Sequence, residues 1–196
     1  SRRQLVEVKQ KLNGTIRGLL KIHGIKISVS SENPNFAKKI RDSIKNLHEI
    51  DKLSIEALLS NVESIMKSIE ELEKIINIIC AQDEDLKLLM TVPGVGRITA
   101  LNFKVAIDEP GRFEDSEIVG AYMGLTPKQY ASGEIDRHGS ISKMGPKECR
   151  TMLYEAGISI LTICKKKSSL QKWGLKLAKK KYTITGVLAN LRFPTL

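Results

Sequence analysis

IEALLSNVESIMKSIEELEKIINII, residues 55–79, decides the fold class. Ile55, Leu58, Val62, Ile65, Ile69, Leu72, Ile76 and Ile79 step by three and four in strict alternation. Over about 25 residues that spacing is the a/d seam of a helix built to pair with another helix. Three partners fit the seam: the domain's own bundle, the chain's first helix folded back as an antiparallel hairpin, or a second protomer. The abundance of isoleucine does not choose among them.

On the N-terminal side, Leu5, Val8, Leu12, Ile16 and Leu19 recur at helical spacing, which predicts an amphipathic helix over Arg2–Ile22 with Gly24 as its stop. The segment 28–34, SVSSENP, is a polar loop, and a short helix is expected from Phe36 to Leu47. On the C-terminal side, the acidic stretch Ala81–Asp85 breaks the seam. The segment 92–107, VPGVGRITALNFKVAI, then joins two apolar helical turns through Pro93-Gly94-Val95-Gly96, the pattern of a helix-hairpin-helix. Gly94 and Gly96 permit a tight turn. Arg97 and Thr99 open the second helix, whose free N–H groups can hold a phosphate oxygen without reading sequence. An ordinary structural turn between helices would suit the same residues.

Asp108–Phe113 is a turn, and Asp115 or Ser116 caps a short helix reaching Met123. Gly145-Pro146 starts another helix. Met152, Leu153, Ala156, Ile160 and Ile163 form its core-facing stripe, and Lys165-Lys166-Lys167 closes it at the negative end of its dipole. A lysine-rich helix spans Trp173 to Tyr182.

Charge is unevenly placed. Residues 1–125 hold 18 Lys/Arg and 18 Asp/Glu, whereas residues 126–181 hold 13 Lys/Arg against four carboxylates, a balance of +9. A basic half beside a neutral one suits a polyanion such as nucleic acid, because each neutralised phosphate releases counterions. No apolar run reaches the roughly 18 residues of a membrane span, and no signal-peptide pattern opens the chain. Cys80, Cys149 and Cys164 have no metal-ligand spacing and read as reduced thiols of a cytoplasmic protein.

The stretch 126–145, TPKQYASGEIDRHGSISKMG, has no usable hydrophobic period and is expected to be a long polar loop braced between helices. Its serines and its cations Lys128, Arg137 and Lys143 suit phosphate. A serine hydroxyl needs activation, and Ser132 follows Tyr130-Ala131, so the G-x-S-x-G elbow of a hydrolase is missing. Phosphoryl transfer asks less: Arg137 and Lys143 could hold the non-bridging oxygens. A turn serine before glycine is the plainer reading of Ser132-Gly133. Ser142 is the second candidate nucleophile, more simply a phosphate contact or helix cap, and His23, His48 and His138 are read as having no functional role.

VPGVGRITA, then RFEDSEIVGAYMGLTPKQYASG, then the R-x-G-x-ISK-x-G block at 137–145 together resemble the C-terminal transposase domain of the IS one-ten and IS one-eleven-eleven insertion-sequence family, to which the Piv-type DNA invertases are related. The resemblance covers about residues 86–163, and the opening 2–25 resembles the segment that follows the family's N-terminal catalytic domain. It implies a prokaryotic DNA transposase, cytoplasmic and nucleoid-associated, guided by a structured RNA. It also implies a RuvC-like DEDD domain binding Mg, which this chain lacks; no metal ligands or cofactor are expected within the chain itself. On the family's motifs the nucleophile falls on Ser132, paired with Gly133, and Arg137, Gly139, Ser142, Lys143 and Gly145 fall on the second block. The tail TITGVLANLRFPTL departs from the lysine- and alanine-rich closing helix the resemblance implies.

The resulting expectation is an all-α protein: a helical, coiled-coil region over 1–83 and a serine-bearing helix-hairpin-helix domain over 84–196. It is read as a fragment of a transposase, inactive alone, that binds DNA and a guide RNA. The Ile55–Ile79 seam would join it into a homo-oligomer. The alternatives are a non-enzymatic DNA-binding helix-hairpin-helix module and a structural coiled-coil assembly protein.

Overall fold

The computed structural model describes residues 1–132, 135–165 and 167–181. Among these residues the chain forms eight α-helices and one two-stranded sheet, so the fold is mostly α. It divides into two compact units, Ser1–Ile75 and Ile76–Leu196.

The first unit contains α1 (Arg2–Ile22), α2 (Phe36–Ser43) and most of α3 (Glu49–Gln82). Arg2 donates to Glu73, and His23 lies 3.5 Å from Asp51. The N-terminal end of α1 therefore meets the far end of α3, and the two helices run antiparallel. Of the three partners open to the seam, the first helix takes it from Ile55 as far as Glu73. Ile16 and Leu20 of α1 share a core with Phe36, Ile40 and Ile44 and with Ile55, Leu59 and Val62 of α3.

The stripe that packs is not quite the one the spacing proposed. Leu59 is fully buried, whereas Leu58 lies at the edge of the core. In α1, Val8 is 43% exposed while Lys9 and Asn13 are buried. A helix in contact with two neighbours buries a wider face than a single seam, so the 3-4 count locates the helix but not its deepest residues. Lys9 reaches Glu32 in the 28–35 loop at 2.6 Å. Arg41 braces α2 against α3 by bonding Glu56 and Glu63, both at 2.8 Å, and these two carboxylates hold its guanidinium well above the ordinary arginine range.

In the second unit, Asp83 ends α3 and caps α4 (Glu84–Met90), its carboxylate accepting from Leu86 N–H. Lys104 of α5 (Arg97–Ile107) bonds both Asp83 and Asp85 at 2.8 Å. The acidic stretch is thus an N-cap and an anchor for α5 as well as a break in the seam. After a 3-10 turn at Pro110–Arg112 come α6 (Ser116–Tyr122), β1 (Pro127–Ser132), β2 (Ile135–Ile141), α7 (Lys147–Thr162) and α8 (Ser169–Lys181). Leu86, Cys80 and Ala100 form one core patch; Ile107, Met123 and Cys149 form a second. Ile163 was expected in the stripe of α7 but ends the helix 72% exposed.

The expectation of an irregular loop over 126–145 is corrected. The stretch is an antiparallel hairpin whose register runs Tyr130 opposite Arg137, Ala131 opposite Asp136 and Ser132 opposite Ile135. Backbone pairing can hold two strands that are polar on both faces, and such strands leave no period-2 signal to read. In the sequence, the dipeptide Gly133-Glu134 between β-compatible runs was the available cue, because a glycine-led dipeptide between two such runs is a hairpin signal. The tail 182–196 lies outside the described residues, as do Gly133 and Glu134.

Candidate nucleic-acid and strand-transfer site

The hairpin and the Pro93–Gly96 turn are both mounted on α7. Gly94 has φ +85°, and a Cβ there would stand 2.7 Å from the Ala156 carbonyl oxygen and against the Ile160 side chain. Glycine at 94 therefore permits both the left-handed turn and the close approach of α7. Gly96 is the exposed N-cap of α5 with no side-chain cap, and Arg97 beside it is exposed. Thr99 is half-buried one turn in. Gly96 and Arg97 thus stand open to a ligand, while Gly94 faces the protein.

At the other end of α7 the hairpin root is tightly clasped. Ser142 N–H donates to Thr126 at 2.8 Å and Lys143 N–H to Gly124 at 3.0 Å. A Cβ on Gly145 would stand 2.9 Å from the Met123 carbonyl carbon and 3.1 Å from Gly124 N. Gly145, assigned to phosphate on sequence grounds, has a packing reason to be glycine. Arg150 of α7 adds a cross-tie, donating from Nη1 to Met123 O at 3.1 Å and to Gly145 O at 3.3 Å. Neither Gly124 nor Arg150 was singled out from the sequence. An arginine one turn into a helix carries no local mark of which carbonyls it will meet.

From this root the strands run out to Ser132, the last residue of β1, which pairs with Ile135 across the two-residue connection. The candidate nucleophile sits at the tip of the arm. The side chains of residues 129–138, including those of Ser132 and Arg137, lie outside the described residues, as does Gly133. Lys128 on β1 is exposed, as are Gly139 and Ser140 on β2. At the root Lys143 is exposed with φ +58°, and Ser142 is half-buried. The Gly94 contact lies about eight residues along α7 from Arg150, which separates turn and hairpin root by roughly 12 Å of helix axis.

Two of the three thiols are weak nucleophiles. Burial pushes the Cys149 thiol up to about 11, so it stays protonated at neutral pH. Cys80 is raised as well, chiefly by burial. Among the described residues no three His, Cys, Asp or Glu side chains group as a metal site requires, and no helix is long and apolar enough to cross a membrane.

Residues 86–172 match the family described as Transposase IS116/IS110/IS902. That segment holds α4 through the start of α8, with the turn, the hairpin and α7 together. That segment belongs to this transposase family. A transposase for insertion sequence element IS1111A from Coxiella burnetii is 25% identical over 177 residues, covering 89% of this chain and 49% of that protein. A transposase for insertion sequence element IS1328 from Yersinia enterocolitica is 34% identical over 91 residues, 46% of this chain and 27% of that protein. The pilin gene-inverting protein of Moraxella bovis is 29% identical over 99 residues, 50% of this chain and 31% of that protein. The chain therefore spans about half, or less, of the length of these relatives.

Proposed function

We propose that this chain is the serine-bearing part of a DNA transposase or site-specific recombinase, with Ser132 as the nucleophile. The relatives point the same way: two are named as transposases of insertion-sequence elements and one as a gene-inverting protein. The observation that carries the assignment of Ser132 is its position at the tip of a hairpin whose base is clasped to α7. A tip residue can enter a DNA groove or reach a strand, while a fixed base keeps its geometry constant.

The chemistry is phosphoryl transfer. Ser132 Oγ attacks phosphorus, its proton passes to a base, the phosphorus–oxygen bond to the sugar breaks, and the sugar hydroxyl leaves. The phosphoserine retains the phosphodiester bond's energy, so the reverse attack by a new sugar hydroxyl rejoins the strand. Arg137, opposite Tyr130 and close to the tip, would neutralise the non-bridging oxygens, where a positioned cation contributes a few kcal/mol. Lys128, roughly 13 Å of strand from Ser132, and Lys143 at the root, more than about 20 Å away, would meet neighbouring backbone phosphates instead. The open N–H groups at Gly96, Arg97 and Thr99 would hold a neighbouring backbone phosphate, as in a helix-hairpin-helix. Gly139 and Ser142 belong to the same surface of the hairpin and its root in this reading.

A DEDD-type domain with its Mg, and a structured guide RNA, would act together with this domain. The C-terminal end of the Ile55–Ile79 seam would join copies: Ile79 of the seam is 40% exposed, and Ile75 and Ile78, which flank the seam residue Ile76, are 55% and 57% exposed. Sedimentation showing only monomer at high concentration would remove that pairing. The central test is Ser132→Ala in the complete transposase, assayed on nicked DNA that traps a covalent protein–DNA product. Loss of that product with DNA affinity intact is expected; a trapped product from Ser132→Ala would overturn the assignment.

A further inference from the structure

We propose that Arg150 is a positioning residue for strand transfer: it fixes the direction in which the hairpin presents its tip. This rests on the reading of Ser132 as nucleophile. Arg150 belongs to the basic half, where the plain expectation for an arginine is a phosphate contact. Its geometry assigns it otherwise. One nitrogen, Nη1, bonds the carbonyl of Met123, where the chain leaves α6 towards β1, and the carbonyl of Gly145, where the chain returns from β2. The two ends of the arm are thereby tied to one side chain of α7.

The tie has support from the backbone on both sides. Gly124 has φ +66° and Lys143 φ +58°, so the entering and leaving chains both turn sharply where they meet. Their backbones approach so closely that a methyl group on Gly124 would stand 2.7 Å from Met144 N. Met123 is buried in the core patch with Ile107 and Cys149, one residue before Arg150. A hairpin of two strands is marginal without support, so its orientation depends on its root. Charge-assisted bonds to two carbonyls give that root a direction that the hairpin's own pairing cannot. Lys128, Lys143 and Lys147 are exposed and remain available to DNA, while Arg150 is half-buried beneath the arm.

The test uses Arg150→Met, which keeps most of the stem and removes the donors, and Arg150→Lys, which restores one cation. In this chain, hydrogen exchange of the 127–132 and 135–141 amides should quicken in Arg150→Met and return part-way in Arg150→Lys. In the complete transposase, Arg150→Met should slow covalent trapping of nicked DNA by about 10- to 100-fold, the scale of loss from a misplacement of about 1 Å. Half-saturating DNA should stay within about twofold of wild type. A wild-type trapping rate, or a loss confined to half-saturation, overturns the inference, the second result marking Arg150 as a DNA contact. If Ser132→Ala still traps DNA, the parent reading fails separately, and exchange alone then decides whether Arg150 holds the arm. Global unfolding of Arg150→Met leaves Arg150→Lys to decide: unchanged exchange and rate there would also overturn it.

Discussion

Replacing Gly145 with alanine should destabilise the second unit, although the change adds only a methyl group. The new Cβ would meet three backbone groups: the Met123 carbonyl carbon at 2.9 Å, Gly124 N at 3.1 Å, and Tyr122 O closer still. Ordinary contact begins at about 3.4 Å, so the two chains at the hairpin root must part by at least about half an ångström. Backbone atoms cannot escape by changing rotamer, and overpacking of this kind costs about 1–3 kcal/mol. For a unit of about 120 residues, roughly 4 °C per kcal/mol gives a fall in Tm of about 4–12 °C. Gly120→Ala in α6 supplies the contrast, since nothing lies within 4 Å of its added Cβ. There the same substitution removes unfolded-state freedom within a helix and should raise Tm by about 2–4 °C. Trp173, the chain's single tryptophan, lies in α8 of the same unit, so its fluorescence follows this transition. A Gly145→Ala protein that melts at or above the wild-type temperature, or a Gly120→Ala protein that falls equally far, would refute the packing account of the root.

In the first unit, Leu59→Ala should cost about 2–5 kcal/mol, because the side chain is fully buried. Ile79→Ala should change denaturant midpoints little; equal losses would mean that α3 packs through the simple 3-4 seam after all. Asn13 is buried in α1 with neither side-chain polar atom bonded, so Asn13→Leu should stabilise the unit by about 1–3 kcal/mol, and a lower melting temperature would show an unrecognised partner for that amide. The Lys104 bond holds Asp83 below the ordinary carboxylate range, and Lys104 is itself raised by Asp83 and then Asp85. Asp83 therefore contributes stability above its unfolded value of about 3.9, lost as pH falls through its folded one. Lys104 contributes below its unfolded value of about 10.4, lost as pH rises through its folded one. The Tm gap between wild type and Lys104→Met should be flat at neutral pH and close at both extremes; a gap that persists at pH 2 would count against the pairing.

The sequence by itself determined the helices. Apolar residues at 3.6-residue period mark Arg2–Ile22 and the long α3, and a helix makes its own backbone bonds, so local pattern suffices to place it. It also carried the family resemblance of the segment 86–172, because the blocks at 92–100, 112–133 and 137–145 are contiguous runs. The hairpin was not legible as strands, since its pairing joins residues such as Tyr130 and Arg137 whose side chains share no apolar period. Tertiary structure alone decided that Leu59 rather than Leu58 lies deepest, that Gly94 and Gly145 are glycines because other chain segments press on them, and that Arg150 turns inward to two carbonyls. Each of these depends on where distant segments meet, and spacing along one strand of chain carries no measure of that distance.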